Sequence, residues 1–244
     1  MGIIIISCEK CDPEPSLSTN EAQSISSDSA ELSGTISLSE CSLSVTSQGI
    51  VYSRNNNFPT TSDSKIQINS ESPSVIVNSL APASLYYFRT YLSNLEGDFY
   101  GNVEEFNTPI GPAQLNNVQI TLKRAKYINV RARISSLGGG SIIRSGFELS
   151  TNNDFTENNR VLNIQLLESN INNHTISSLN PNTTYFIRSF IENESGITNS
   201  EINSFSTLSG VVVYEDKEFS NVGKRSANFS LTLVDDGGID IQEW

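Results

Sequence analysis

The side chains that most often carry out chemistry in proteins are scarce in this chain of 244 residues. The chain holds one histidine, His174, so a metal site built on a histidine pair is excluded by count. No serine or cysteine lies in a pattern that would pair it with this histidine as nucleophile and base. We therefore interpret His174 as a partly exposed strand residue, and we predict no catalytic residues, no cofactor and no metal site.

Two short motifs have some features of chemical sites. Cys8 and Cys11 form a Cys-x-x-Cys pair, but a zinc site of this type needs a second pair and a redox site needs a βαβ context. The segment "DDGGID" at 235–240 offers oxygens to Ca²⁺, but it lacks the alternating ligands and the distal Glu of a calcium loop. Because Asp-Gly is itself a turn signal, a glycine-rich hairpin is the favoured interpretation of this segment.

The charge of the chain disfavours a nucleic acid as its partner. There are 27 acidic and 15 basic residues, which gives a formal net charge of −12. Binding a polyanion requires clustered Lys and Arg side chains. The densest basic patch, Lys123, Arg124 and Lys126, is short and is typical of the solvated surface of a hairpin.

The hydrophobic pattern predicts β-strands. Apolar and polar residues alternate in "AELSGTISL" and in "INVRARI", and this period of two is the signature of a strand. Clusters of Asn, Ser, Gly and Pro separate the runs as turns, and no window shows helical spacing. The residues predicted to face a core are Ala30, Leu32, Ile36, Leu38, Ile128, Val130, Ala132 and Ile134. Many short strands in about 95 residues favour a β-sandwich.

The chain repeats itself at a long offset. The segment "LAPASLYYFRTY" begins at Leu80 and returns as "LNPNTTYFIRSF" at Leu179, 99 residues later. The same offset joins Asn94 to Asn193, Gly97 to Gly196, Phe106 to Phe205 and Thr108 to Thr207. Upstream the offset is 97, which joins Gly49 to Gly146 and Phe58 to Phe155. A period of about 100 residues is too long for a solenoid and predicts a tandem array of independent domains.

The repeated segment predicts a corner at which the chain crosses between two sheets. The leucine plugs the core, the proline fixes φ in the crossing turn, and the tyrosine begins the next strand with its ring inside. Its hydroxyl then bonds back to the backbone near the corner, as in a tyrosine corner. The corner set consists of Leu80, Pro82, Tyr86, Leu179, Pro181 and Tyr185. The next strand is predicted to turn inward Tyr86, Phe88, Thr90 and Leu92 in one copy, and Tyr185, Ile187, Ser189 and Ile191 in the other.

The alternate residues of the same strands are predicted to face outward and form a possible contact surface. This outer-face set consists of Tyr87, Arg89, Tyr91, Phe186, Arg188 and Phe190. Arginine between aromatic rings stacks well by cation–π contact. The set either stiffens the sheet through cross-strand pairs or forms a small adhesive or carbohydrate-stacking patch.

The extended form of the repeat resembles a known family. "GIVYS" followed by "LAPASLYYFRTYLSNLEGDFYGNVEEFNTP" is similar to the tandem fibronectin-type-III-like repeats of Bacteroidetes surface lipoproteins. The second copy departs from this pattern, because it has Asn199-Ser200 where the first has Tyr100-Gly101. The resemblance covers roughly residues 20 to 244 and implies an all-β fold of tandem immunoglobulin-like, fibronectin type III β-sandwiches.

The repeats divide the chain into four parts. We expect a lipoprotein signal remnant and tether at 1–15, a first repeat at 16–109, a second at 110–208 and a partial third at 209–244. The segment "SANFSLTLVDDGGIDIQEW" parallels the second and third strands of the second repeat. Because half a sandwich cannot bury its inner faces, we expect the third repeat to be truncated and the chain to be a fragment of a longer one.

The first residues resemble a lipobox. An apolar run ends in Ile5-Ile6-Ser7-Cys8, and charged and proline-rich residues follow. In this interpretation Cys8 is the acylated residue that becomes the mature N-terminus. The run is too short to span a bilayer and lacks a basic n-region, so the start of the chain is expected to be truncated or misassigned, and a chance apolar start is the alternative. The lipobox predicts an extracytoplasmic protein, lipid-anchored to the outer membrane or cell surface.

These features together predict a non-catalytic cell-surface lipoprotein module. It acts as a spacer or as an interaction array, with an unknown protein or glycan ligand and with the membrane as a partner through its lipid. One alternative is the accessory stalk of a larger surface enzyme whose catalytic domain lies beyond residue 244. The other is a glycan-binding module of a polysaccharide-uptake system. Fold alone does not decide among these functions.

Overall fold

The computed structural model describes residues 14–38, 44–156, 159–166 and 173–238. The chain divides into two compact units, Met1–Gly111 and Pro112–Trp244. This division lies two residues beyond the predicted boundary at 109 and groups the predicted partial third repeat with the second repeat. Every regular element in the described part of the chain is a β-strand, and all strand pairs are antiparallel.

The first unit contains eight described strands in two sheets. They are β1 (Ser16–Thr19), β2 (Ser29–Ser37), β3 (Ser47–Ser53), β4 (Ser64–Gln67), β5 (Ser74–Asn78), β6 (Leu85–Asn94), β7 (Gly97–Tyr100) and β8 (Glu104–Asn107). One sheet has the order β1-β2-β5. The other has the order β4-β3-β6-β7, and β8 also pairs with β6.

The second unit repeats this arrangement with more interruptions in its strands. Its strands are β9 (Gln114–Leu115), β10 (Gln119–Lys123), β11 (Tyr127–Arg131), β12 (Ile134–Ser136), β13 (Arg144–Ser150), β14 (Arg160–Asn163), β15 (His174–Ser177), β16 (Thr184–Asn193), β17 (Gly196–Asn199) and β18 (Asn203–Ser206). Here β10-β11-β15 and the short pair β12-β9 form one side, and β14-β13-β16-β17 with β18 forms the other.

A hydrophobic core lies within each unit. The first contains Ala30, Leu32, Ile50, Val77, Leu80, Tyr86, Phe88 and Phe106. The second is larger and includes Ile128, Val130, Ile134, Phe147, Leu149, Ile176, Leu179, Tyr185, Ile187, Ile191 and Phe205. The predicted inward alternation is confirmed in β6, β11 and β16, since every residue predicted to face inward on those strands is buried. Leu38 is exposed instead, because β2 ends at Ser37 and its alternation ends with it.

The segment predicted as a partial third repeat forms a hairpin. Its strands are β19 (Val213–Ser220) and β20 (Asn228–Asp235), which pair with each other in a two-stranded sheet. Several of its apolar side chains are exposed, namely Val213, Tyr214, Phe229, Leu233 and Val234. This exposure is expected because, within the described ranges, the hairpin has no second sheet to pack against. The predicted third strand of this repeat falls at 239–244, outside the described residues.

Candidate interaction surfaces

The tyrosine of each repeated segment closes a corner between the two sheets. The backbone N–H of Ala81 donates to the Tyr86 hydroxyl at 2.8 Å, and the N–H of Asn180 donates to the Tyr185 hydroxyl at 3.0 Å. Both rings are buried and stack on a phenylalanine of the last strand, with centroids 5.5 Å apart for Tyr86 and Phe106. The phenol oxygen is thereby used to satisfy a backbone amide that would otherwise be left unbonded near the core.

The leucines and prolines of the corner set differ in burial. Leu80 and Leu179 are each 5% exposed and belong to the two cores, whereas Pro82 is half-buried and Pro181 is exposed. The residue after each proline, Ala83 or Asn182, has φ of 48°. Asparagine tolerates this left-handed conformation better than alanine does, so the turn in the second repeat is the less strained.

A threonine stabilises the corner in both units through hydrogen bonds. The sequence interpretation did not place this threonine at the corner. The Thr108 hydroxyl donates to the carbonyl of Ala81 at 2.7 Å and accepts from the N–H of Ser84 at 3.0 Å. Thr207 makes the equivalent bonds to Asn180 and Thr183. The 99-residue spacing of Thr108 and Thr207 is the sequence signal that points to this shared role.

The outer face of β6 differs from the predicted contact surface. Tyr91 is 0% exposed, and its hydroxyl lies 2.7 Å from the Ser47 hydroxyl oxygen. Arg89 is half-buried, donates from Nε to the carbonyl of Pro59 at 2.6 Å, and stacks 3.9 Å from the centroid of the Tyr100 ring. Tyr87 is half-buried. Of this half of the outer-face set, therefore, no member is fully open to solvent.

The outer face of β16 has the same character with different partners. Phe190 is 2% exposed, and the guanidinium of Arg144, which also pairs with Glu192, lies 5.4 Å from its ring centroid. Arg188 donates from Nε to Glu148 at 2.6 Å and lies 4.3 Å over the ring of Phe155. Phe186 is half-buried.

The prediction that Tyr91 and Phe190 are outward contact residues is wrong because both rings are buried. Each faces a glycine on the neighbouring strand, since Tyr91 pairs with Gly49 and Phe190 pairs with Gly146. Because a glycine has no side chain, a large aromatic ring on the neighbouring strand can cover the part of the sheet surface that a side chain would otherwise occupy. These rings therefore stabilise the sheet and do not form a platform for a ligand.

Each arginine of the outer face obtains its aromatic partner from a different element. In the first unit the partner of Arg89 is Tyr100 on β7, and Phe58 in the β3–β4 connection is 61% exposed. In the second unit Asn199 stands at the Tyr100 position, and Phe155 covers Arg188 and is only 7% exposed. The same arginine–aromatic stack is thus formed twice by different means.

Two aspartates of the first unit accept hydrogen bonds from neighbouring loop residues. The hydroxyls of Ser93 and Thr61 donate to Asp98 at 2.6 and 2.5 Å, and these bonds lower the pKa of Asp98 below its ordinary value. The backbone N–H of Thr60 donates to Asp63 at 2.9 Å and is the main cause of the lowered pKa of that carboxyl. Both groups are therefore held ionised, as hydrogen-bond acceptors of their loops.

His174 lies at the start of a strand beside an aromatic ring. His174 begins β15, its ring lies 5.9 Å from that of Phe147, and burial lowers its pKa. Within the described ranges no group of three or more His, Cys, Asp or Glu side chains is placed to hold a metal ion. Cys8, Cys11 and Cys41 lie outside the described residues, as does the predicted lipid attachment.

A polar cleft lies beside each corner. In the first unit it has a volume of about 610 Å³ and is lined by residues that include Tyr52, Arg54, Asn55, Asp63 and Tyr86. The equivalent cleft of the second unit has a volume of about 290 Å³ and is lined by residues that include Leu149, Arg160, Asn180 and Tyr185. Sequence reasoning did not predict these clefts, because their lining residues come from three separated segments in each unit.

The strand order defines the class of fold. In each unit, three strands face a sheet whose central pair is flanked by the strands that follow each of its members in sequence. The crossing tyrosine bonds back to its corner. This is the architecture of an immunoglobulin-like β-sandwich of the fibronectin type III kind, and the chain contains it in tandem. No helix in the described ranges is long and apolar enough to cross a membrane.

Comparisons with known proteins give matches among solved structures only. No protein-family model and no curated protein matches the sequence. Among solved structures, the chain is similar to the FN1–FN3 domains of chicken CNTN1, with 16% sequence identity and a TM-score of 0.42. That match covers 90% of this chain and 76% of the other. The fold assignment rests on the strand order and on the two cores.

Proposed function

We propose that this chain is a non-catalytic module of a surface lipoprotein that acts as a spacer or as a protein or glycan interaction array. The observation that carries the proposal is that each unit engages its outer-face arginine, the aromatic ring stacked on that arginine, and its corner tyrosine within itself. Arg89 and Arg188 are each bonded and stacked inside their own unit, and both corner phenols are bonded to backbone. Turnover of a polysaccharide, ester or peptide by the purified chain would contradict the non-catalytic part.

The internal use of these groups favours a structural task. A stack formed twice from different elements stabilises two sandwiches whose sequences have diverged at Tyr100 and Asn199. A spacer has to remain folded and soluble, and a formal net charge of −12 opposes self-association. The accessory-stalk alternative has the same requirements.

The proposed location is extracytoplasmic, with the chain anchored by lipid on Cys8 to the outer membrane or cell surface. Support comes from the lipobox-like residues at 5–8 and from the resemblance of the repeats to those of Bacteroidetes surface lipoproteins. One acyl chain gives only marginal membrane binding, whereas two or more give stable anchoring.

Lipid attachment predicts a selective loss of labelling. When the full-length precursor is expressed in a lipoprotein-processing bacterium with labelled fatty acid, we expect label in the wild type and none in Cys8→Ser. Cys11→Ser is the matched control and should retain the label, because it changes a thiol of the same segment outside the lipobox. Equal labelling of wild type and Cys8→Ser would contradict the anchor.

The cleft of the first unit supports a glycan-binding role as a second candidate. Its lining combines hydroxyl, amide, guanidinium and carboxylate groups with the aromatic ring of Tyr52, the mixture by which hydroxyl-rich ligands are bound. Amide chemical shifts of residues 52–64 that respond to an added polysaccharide would favour this role over that of a passive spacer. If the protein binds none of the glycans on a glycan microarray, the spacer role is favoured.

A further inference from the structure

Two consecutive glycines of the third-repeat segment lie directly against the second repeat and the linker that follows it. The N–H of Gly210 donates to the carbonyl of Gly237 at 2.8 Å, and the N–H of Ala125 donates to the carbonyl of Gly238 at 3.0 Å. The Asp236 carboxylate accepts the N–H of Gly238 at 2.8 Å and so fixes the turn from within. Both glycines are buried, although much of the adjoining hairpin is exposed.

The contact leaves no space for a side chain. A Cβ built on Gly237 would lie 2.3 Å from the carbonyl oxygen of Val211, and a Cβ on Gly238 would lie 2.5 Å from Cδ1 of Leu208. Both glycines also have left-handed backbone angles, with φ of 60° and 75°. Close approach and positive φ independently require glycine at this place.

The surface that receives the glycines is formed by the second repeat and by the linker at 209–212 that follows it. We call Ala125, Leu208, Gly210 and Val211 the docking surface. Gly210 lies beside the side chains of Ala125 and Pro181, and Gly111 lies in the same way beside Ser27 and Pro82 in the first unit. Both units therefore place a glycine beside the corner proline at the same position of the repeat.

The glycine pair is also repeated. Gly138 and Gly139 stand 99 residues before Gly237 and Gly238, and their φ angles of 65° and 80° match those of the later pair. Since the connection that follows the second strand has this backbone in two repeats, the conformation at 237–238 is specified by sequence. It does not depend on the exposed hairpin around it.

We propose that the docking surface is an interaction surface whose partner is the glycine loop of the following repeat, and that this contact makes the joint between the second and third repeats rigid. The linker at 209–212 is then held to the glycine loop by the Gly210–Gly237 hydrogen bond, and the loop is held to the second repeat by the Ala125–Gly238 hydrogen bond. For an array that acts as a spacer, a rigid joint fixes how far the next domain extends. The joint itself is independent of that role and of any ligand.

The test compares two glycine substitutions in the full chain. In Gly237→Ala we expect the protection of the Ala125 and Gly210 amides against hydrogen exchange to fall by about tenfold or more, because both hydrogen bonds depend on the close approach. Residual dipolar couplings of β19 and β20 should fit the alignment tensor of the second repeat in the wild type. They should shrink towards zero in the variant, as the hairpin becomes free to reorient.

Gly223→Ala is the matched control, because a Cβ there would meet no atom closer than 3.6 Å. It should leave both readouts unchanged, and the amide of Ile187 should stay protected in both variants as a monitor of the second core. Unprotected Ala125 and Gly210 amides in the wild type would overturn the proposal. So would hairpin couplings that are already averaged in the wild type, or an equal response of Gly237→Ala and Gly223→Ala.

Discussion

Replacing Tyr185 by alanine is expected to destabilise the second unit by about 3–5 kcal/mol, by analogy with other large aromatic truncations. The change leaves the space of a buried ring beside Phe205 and removes the acceptor of the Asn180 N–H. A loss of this size is much of the stability of a domain of about 100 residues. Hydrogen exchange should show residues 112–208 losing protection while amides of the first unit keep theirs, and Tyr86→Ala should give the converse.

The conservative variant separates the hydroxyl from the ring. Tyr185→Phe keeps the packing and should cost about 1 kcal/mol, the contribution of one hydrogen bond. If either alanine variant removes protection throughout the chain, the two units fold as one and the tandem account is wrong. If neither variant has an effect, the corner assignment is wrong.

Phe190→Ala is expected to cost about 3–5 kcal/mol as well, although its position in the strand alternation predicts an outward residue. The ring is buried opposite Gly146 and under Arg144, so its removal opens the outer surface of the sheet. Equilibrium unfolding in denaturant measures the loss.

Phe186→Ala provides the comparison, since Phe186 lies on the same face of β16 but is half-buried. Its cost should be clearly smaller than that of Phe190→Ala. If both variants lower the free energy of unfolding by equally small amounts, Phe190 is an exposed residue and the outer-face set is again a candidate contact patch.

The sequence predicted the fold well because the relevant signals are local. Alternation in β2, β11 and β16 depends only on neighbouring residues, and the repeat at 99 residues makes each assignment twice. The inward faces follow directly from this pattern. So does the tyrosine corner, because its leucine, proline and tyrosine lie within seven residues of one another.

The outer face was not predictable in the same way. The two-residue period of a strand predicts which face of the sheet a residue lies on, but it does not predict which side chains cover that face. Tyr91 and Phe190 are buried because each lies opposite a glycine of another strand, and cross-strand register is not a local property of the sequence.

A second difference between the two units also depends on contacts between residues that are distant in sequence. The N–H of Ser189 donates to the Ser200 hydroxyl at 3.0 Å, whereas the equivalent N–H of Thr90 donates to Thr19, also at 3.0 Å. Gly101 stands at the Ser200 position of the first unit, where a Cβ would lie 2.8 Å from the Thr19 hydroxyl. The difference between Gly101 and Ser200 is therefore an exchange of hydrogen-bond partner between strands, which only the three-dimensional structure reveals.

The central claim is that the chain is an array of separately stable modules, and pulling single full-length molecules by their ends tests it most directly. The account predicts two separate unfolding events for the two sandwiches, each lengthening the chain by roughly 300 Å, as expected for about 95 residues at 3.3–3.6 Å each. Tyr185→Ala should lower the force of one event only. A single event of roughly twice that length, in the wild type and in the variant, would contradict the account.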